Sequence, residues 1–246
     1  MSPRQGSTES GCEWLWGWHA VVAALENPAR APPQRVLVAA ERARLVRRLA
    51  AAGAELELVD PPALDRILPK GAVHQGVALS IPPPEPVSLE GLAQPAGGVL
   101  LMLDQLTDPQ NVGTIFRSAA AFGARGVILQ ERHSPPLAGA LAKAAAGAID
   151  RVGHVRVVNL ARALERLDAA GWRAVGLDAQ APQTLEATLD DRPTVLVLGA
   201  EHEGLRRLVR EHCDTTARID MAGGFDSLNV AAAAAVALYE AARRRG

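Results

Sequence analysis

The chain has 246 residues, of which 48% are hydrophobic and 22% charged, and its formal net charge at pH 7 is −1. That composition excludes an intrinsically disordered chain, and the near-zero charge excludes a global positive field as the means of holding a polyanion. Aromatic residues, at 3%, are too few for a single-strand binder that stacks successive bases on rings. The two cysteines, Cys12 and Cys213, make neither a disulfide framework nor a thiolate metal site. The polar stretch 1–11 lacks the apolar core of a secretory signal, and the longest apolar runs fall short of a membrane span. The expected setting is the cytoplasm, with no metal and no membrane partner.

In chain order, residues 1–11 read as a disordered tail. Residues 17–26 predict a short helix stopped by Asn27-Pro28, 35–39 a strand, and 42–52 a helix closed by Gly53. Residues 55–59 predict a strand, 62–68 a helix and 76–81 a strand, so 12–80 reads as a small α/β domain. Ile81-Pro82-Pro83-Pro84-Glu85-Pro86 fits neither a helix nor a central strand, and 81–97 is expected to be a Pro-rich, semi-rigid linker. After Gly97-Gly98 the alternation resumes, with strands at 99–104, 126–130, 155–158, 172–177, 194–198 and 217–221. Helices are expected at 112–122, 137–146, 160–170, 205–211 and 229–243. The strands are continuous apolar runs, the pattern of a sheet covered on both faces. Residues 98–246 are therefore expected to form an open, mostly parallel, doubly wound α/β domain. Such sheets take ligands beyond the C-terminal ends of their strands. Neither G-x-G-x-x-G nor a Walker A motif is present, which argues against an ordinary dinucleotide or nucleoside-triphosphate site.

Three segments of this second domain carry the polar residues. The first, Leu106-Thr107-Asp108-Pro109-Gln110-Asn111-Val112-Gly113-Thr114-Ile115-Phe116-Arg117-Ser118, is a loop running into a helix, with Asn111 as a plain candidate for its N-cap. The second, Val197-Leu198-Gly199-Ala200-Glu201-His202-Glu203-Gly204-Leu205-Arg206-Arg207-Leu208, is a strand end, where Gly199 permits close backbone approach. Glu201 there has the option of merely complementing a helix N-terminus. The third, Ile219-Asp220-Met221-Ala222-Gly223-Gly224-Phe225-Asp226-Ser227-Leu228-Asn229-Val230, leads into an alanine-rich helix, for which Ser227 or Asn229 is a routine cap. Taken singly, each is explained by caps and turns.

Taken together, in this order and spacing, the three segments resemble the signature motifs of the SpoU family within the SPOUT methyltransferase superfamily: N-x-G-x-x-x-R, G-x-E-x-x-G, and apolar-x-M-x-G followed by S-L-N-V. The opening Trp16-Gly17-Trp18-His19-Ala20-Val21 resembles the Y-G-x-H-A-V start of that family's accessory RNA-binding domain, with Trp16 in place of Tyr. Gly71-Ala72-Val73-His74-Gln75-Gly76-Val77 resembles its close, and this domain is similar to the ribosomal protein L30e fold. The resemblance covers about residues 14–245. Small departures are His202, where a small residue is common, and Ala231, where a serine often follows S-L-N-V.

The resemblance implies a knotted (trefoil) C-terminal domain and transfer of a methyl group from S-adenosyl-L-methionine to an RNA ribose 2′-oxygen. The nearest branch of the family acts on a guanosine in the peptidyl-transferase P-loop of large-subunit (23S) ribosomal RNA. It implies that Leu198, Gly199, Ile219, Met221 and Leu228 hold the donor, largely through backbone groups. Arg117 becomes the central catalytic position, with Asn111, Glu201, Ser227 and Asn229 placing it, the ribose and the donor. A guanidinium is a fixed cation, which favours Arg117 as a phosphate-binding and charge-stabilising group over a literal base. Arg44, Arg47 and Arg48, at helical spacing, and Arg206, Arg207 and Arg210 are candidate RNA contacts. The family's homodimer, formed through the knot region and last helix, is expected here. Two alternatives stay open: ribose methylation of tRNA or another rRNA site, and a non-catalytic RNA-binding or ribosome-assembly factor on the same fold.

Overall fold

The computed structural model describes residues 11–49, 56–200, 203–223 and 227–244; the side chains at 45 and 47–49 lie outside that description as well. Two compact units are distinguishable, one holding 1–85 and 136–151, the other 86–135 and 152–246.

The first unit is built on four strands, β1 (Glu13–Trp16), β2 (Arg35–Val38), β3 (Leu56–Leu58) and β4 (Val77–Ile81), in the order β1-β4-β2-β3. Strand β4 runs antiparallel to both β1 and β2, and β2 is parallel to β3. Helices α1 (Trp18–Glu26), α2 (Ala40–Leu49) and α3 (Pro61–Ile67) accompany the sheet. The predicted elements are found within a few residues of their expected bounds, but β1 was not expected. Its four residues, Glu-Trp-Leu-Trp, are too short a run to be read as a strand alone and become one by pairing with β4 from Glu13↔Ile81 to Trp16↔Ala78. A core of Trp16, Leu37, Leu64, Leu68 and Ala78 packs beneath.

The second unit starts with α4 (Leu89–Ala93), inside the stretch expected to be a spacer. Ser88 caps it by accepting from the Gly91 N–H at 3.0 Å, and Leu89, Leu92 and Ala93 are buried. A single apolar turn becomes helix there because the sheet offers it a surface. The chain then alternates through β5 (Val99–Leu103), α5 (Pro109–Ala121), β6 (Gly126–Gln130), α6 (Gly139–Ala145), β7 (Gly153–Val157), α7 (Leu160–Ala169), β8 (Arg173–Leu177), α8 (Leu185–Thr188), β9 (Thr194–Leu198), α9 (Arg207–Glu211), β10 (Thr215–Ala217) and α10 (Val230–Arg243). Six strands form one all-parallel sheet, ordered β10-β8-β9-β5-β6-β7. Every residue of β5, β6 and β9 is buried, as a sheet covered on both faces requires. Among the described residues no helix is long and apolar enough to cross a membrane.

Helix α6 departs from the chain order. Together with the 3-10 turn Ala148–Asp150 it packs into the first unit, against β1 and α1. Asp150 is held there by Arg30 at 3.0 Å, both side chains 4% exposed, and by the Asn27 side-chain amide at 3.2 Å. Periodicity marks 137–146 as helical but says nothing of the sheet it joins.

Two boundaries in the second unit bear on function. Helix α5 begins at Pro109 rather than at 112, because Asp108, not Asn111, is its N-cap: the Asp108 carboxylate accepts from the Gln110 N–H at 3.0 Å. Proline at the first helical position suits that start. Strand β10 covers 215–217 rather than 217–221, since its partner β8 ends at Leu177, opposite Ala217. Ile219 and Met221 therefore lie beyond the sheet edge, in a loop.

Candidate active site

Beyond the C-terminal ends of β8, β9 and β10 lies a cavity of about 320 Å³. Its walls come from Leu177 at the end of β8 with Asp178 and Ala179 after it, Leu198 to Ala200 and Glu203 to Leu205 around the end of β9, and Ala217 at the end of β10. Ile219, Met221, Ser227 and Leu228 of the last loop, with Val230 and Ala233 of α10, complete it. All five residues expected to hold the donor are there: Leu198, Gly199, Ile219, Met221 and Leu228.

The wall after β9 is a tight backbone crossing. Ala200 and Gly204 exchange two main-chain hydrogen bonds, of 3.1 and 2.9 Å. A Cβ at Gly199 would stand 2.1 Å from the carbonyl carbon of Gly204. Glycine is required because the opposing atoms are backbone, which no rotamer change can move. The cavity thus pairs apolar side chains with close-packed main chain, a surface suited to a flat group. The charged members of the lining are Glu203 and an ion pair between Arg210 and Asp178. Arg210, expected among the RNA contacts, is instead held in this lining by Asp178. Asp178 was not expected in a binding role, and an Asp just past an apolar strand is the one signal that marked it.

The polar positions divide. Asn229 is the N-cap of α10, its Oδ1 accepting from the Ala231 and Ala232 N–H groups at 2.9 and 3.3 Å. Its Nδ2 also donates to Oδ1 of Asn111 at 3.0 Å, so the capping role and the role in joining two motifs coexist. Arg117 lies on the exposed face of α5, opposite the buried Val112, Ile115, Phe116 and Ala119, and makes no hydrogen bond or ion pair among the described residues. It does not line the cavity. It stands six residues past Asn111 on the same helix, about 9 Å along the axis. Ser227 is exposed and lines the cavity. Glu201, His202 and 224–226 lie outside the described residues.

The arginines expected to meet RNA are unevenly placed. Arg44 is exposed on α2, while the side chains of Arg47 and Arg48 are outside the described set. Arg207 pairs with Glu211 at 2.8 Å along α9. Arg206 is 41% exposed but bound to Asp104, a fully buried carboxylate at the end of β5. Asp104 is the site-proximal residue that sequence reasoning passed over; its signal was an acid closing an unbroken apolar strand.

Comparison with known proteins places these features. Residues 98–239 match the model described as the SpoU rRNA Methylase family, and 14–87 match the one described as RNA 2′-O ribose methyltransferase substrate binding. A Mycolicibacterium vanbaalenii protein called an uncharacterized tRNA/rRNA methyltransferase is 42% identical over 187 residues, covering 74% of this chain and 59% of that protein. The chain thus spans under two thirds of the length of that relative. A 23S rRNA (guanosine-2′-O-)-methyltransferase, RlmB, of Xylella fastidiosa is 41% identical over 95% of this chain and 97% of its own length. The crystal structure of the SpoU methyltransferase AviRb from Streptomyces viridochromogenes in complex with AdoMet superposes with a TM-score of 0.83 at 28% identity, covering 99% of this chain and 94% of that one. With its three motifs gathered at one end of a parallel sheet and a family model matched over most of that unit, the chain belongs to the SpoU rRNA Methylase family.

Proposed function

We propose that this protein transfers a methyl group from S-adenosyl-L-methionine to the ribose 2′-hydroxyl of a guanosine in large-subunit (23S) ribosomal RNA. The observation that carries the proposal is the cavity: the five residues named for the donor converge on it from two separate segments. Its volume, apolar walls and the main chain of Gly199 and Ala200 in its lining fit an adenosyl group. The bound donor supplies a sulfonium methyl, an electrophile that needs no further activation. The protein's own task is to hold the acceptor hydroxyl in line and to ease loss of its proton.

Arg117 is assigned the acceptor side. A fixed guanidinium on the solvent face of α5 binds the phosphate next to the target ribose and stabilises the developing alkoxide charge, while the proton leaves through phosphate or water. The Asn229–Asn111 hydrogen bond sets α5 against the start of α10 and so places Arg117 relative to the donor loop. Ser227 and Glu201 complete the polar set. The 23S guanosine target is supported by the RlmB relative, which aligns over nearly the whole chain, and by the substrate-binding match at 14–87. The same reading takes in a trefoil knot, a cytoplasmic location and a homodimer through α10. For the dimer, Val236 and Tyr239, one turn apart, are 42% and 55% exposed.

Mapping 2′-O-methyl groups on ribosomal RNA from cells with and without the protein tests the proposal. One guanosine of 23S rRNA should lose its methyl group when the protein is absent. An unchanged rRNA map together with a lost tRNA methylation would move the substrate to tRNA, and unchanged maps of both would refute the proposal.

A further inference from the structure

We propose that Asp104 is a positioning residue for the donor site, one that ties both ends of the wall formed after β9 to a single point. This rests on the donor assignment above. Asp104 follows β5 directly and is 0% exposed. Its main-chain N–H donates to the carbonyl of Leu198 at 2.8 Å, extending the β5–β9 ladder to the residue where the wall begins. Its carboxylate accepts from the main-chain N–H of Arg206 at 2.9 Å, through Oδ2, and from Nε of the same residue at 2.7 Å, through Oδ1. The wall ends there: Leu198, Gly199, Ala200, Glu203, Gly204 and Leu205 all face the cavity, and Arg206 starts α9 as its N-cap. Asp104 itself is not in the lining, so it acts through the wall and not on the ligand.

A carboxylate is the group this position needs. Both of its oxygens meet N–H donors on one residue, and charge-assisted bonds of this kind are short and strong. An amide in its place would set an NH₂ against one of those donors, leaving a buried polar clash. The guanidinium of Arg206 supplies the counter-charge that a fully buried acid requires. Between the two ends, the Ala200–Gly204 bridge and the Gly199 crossing add main-chain restraints among the described residues. Fixing its ends therefore positions the residues that line the cavity, and the expectation that Arg206 serves RNA has to share that residue with this role.

The test is AdoMet affinity and steady-state kinetics on the full chain for Asp104→Asn and Arg206→Lys, with folding checked by circular dichroism and melting. Asp104→Asn should raise Kd and KM for AdoMet by about tenfold, the equivalent of one charge-assisted hydrogen bond. Its kcat at saturating AdoMet and its KM for RNA should stay near wild type. Arg206→Lys keeps the main-chain bond and loses the Nε fork, so its AdoMet KM should rise less. A merely structural role would reduce the amount of active enzyme and thus kcat, leaving the AdoMet constants unmoved. Wild-type AdoMet affinity in both folded variants would overturn the proposal. Should Asp104→Asn fail to fold, Arg206→Lys alone decides the matter. A wild-type chain that binds no AdoMet would instead overturn the donor assignment itself.

Discussion

The side-chain amide of Asn229 donates to Oδ1 of Asn111 across 3.0 Å, joining residues 118 apart in the chain. The oxygen of the same amide caps α10. One side chain thus links the first and third motifs and terminates a helix, and the two tasks use different atoms.

That division is testable by substitution. Asn229→Asp keeps a good capping oxygen and loses the donor, so stability should change by less than about 0.5 kcal/mol. Methyl transfer should nonetheless fall by at least about tenfold, since a misplaced reacting group is costly. Asn229→Ala loses the cap too and should melt lower, by about 1 kcal/mol. Equal activity of Asn229→Asp and wild type would confine Asn229 to capping.

Arg117→Ala should abolish most methyl transfer while leaving AdoMet binding intact. Arg117 does not line the donor cavity and has no protein partner among the described residues to strand. Loss of an electrostatic stabiliser predicts a drop in kcat of about a hundredfold or more. Single-turnover transfer from labelled AdoMet, beside equilibrium dialysis of the same ligand, separates the two quantities. Undiminished turnover would remove Arg117 from the mechanism.

Gly199→Ala should damage the donor site specifically. Its Cβ would stand 2.1 Å from the carbonyl carbon of Gly204 and 2.4 Å from the Leu205 nitrogen, so the wall itself must shift. Overpacking of this kind costs about 1–3 kcal/mol. Weaker AdoMet binding should accompany a lower melting temperature. An unaltered Kd would show that the wall does not touch the donor.

Cys213 should be inert in the folded protein. Burial, then the nearby charges of Asp214 and Asp104, pushes its thiol from the ordinary 9.0 up to about 12. Thiolate is the reactive form, so at pH 8.5 iodoacetamide should label Cys213 slowly until the chain is unfolded. The sign of the linkage follows. With the folded value raised, the stability tied to the neutral thiol is complete below pH 9.0 and is lost progressively up to about pH 12. Cys213→Ser should therefore flatten the alkaline side of the stability profile. Rapid native labelling confined to Cys213, traced by peptide mass, would contradict the raised thiol.

Much of this architecture is legible in the amino-acid sequence. Strands 126–130 and 194–198 have the bounds expected of them, because buried parallel strands are unbroken apolar runs that end abruptly. Weak local signals fail where pairing decides. β1 is a strand only through β4, α4 is a helix only because its apolar turn has a sheet to cover, and β10 stops where β8 stops. That last difference puts Ile219 and Met221 into the loop that lines the cavity.

The candidate donor site divides along the same line. Motif residues set the local chemistry by themselves: a glycine where backbones cross, amides that cap and donate, an arginine on a helix face. Spacing along the chain carried their common membership in one family. Which groups meet was decided only by tertiary structure, because a contact such as Asn111 with Asn229 depends on sheet order and strand ends. Those are properties of pairing between distant segments, and no local pattern encodes them. The clearest case is Asp104. In sequence it is one acid closing an apolar strand, and only the placement of Arg206 against it, 102 residues on, gives that acid a partner and a role.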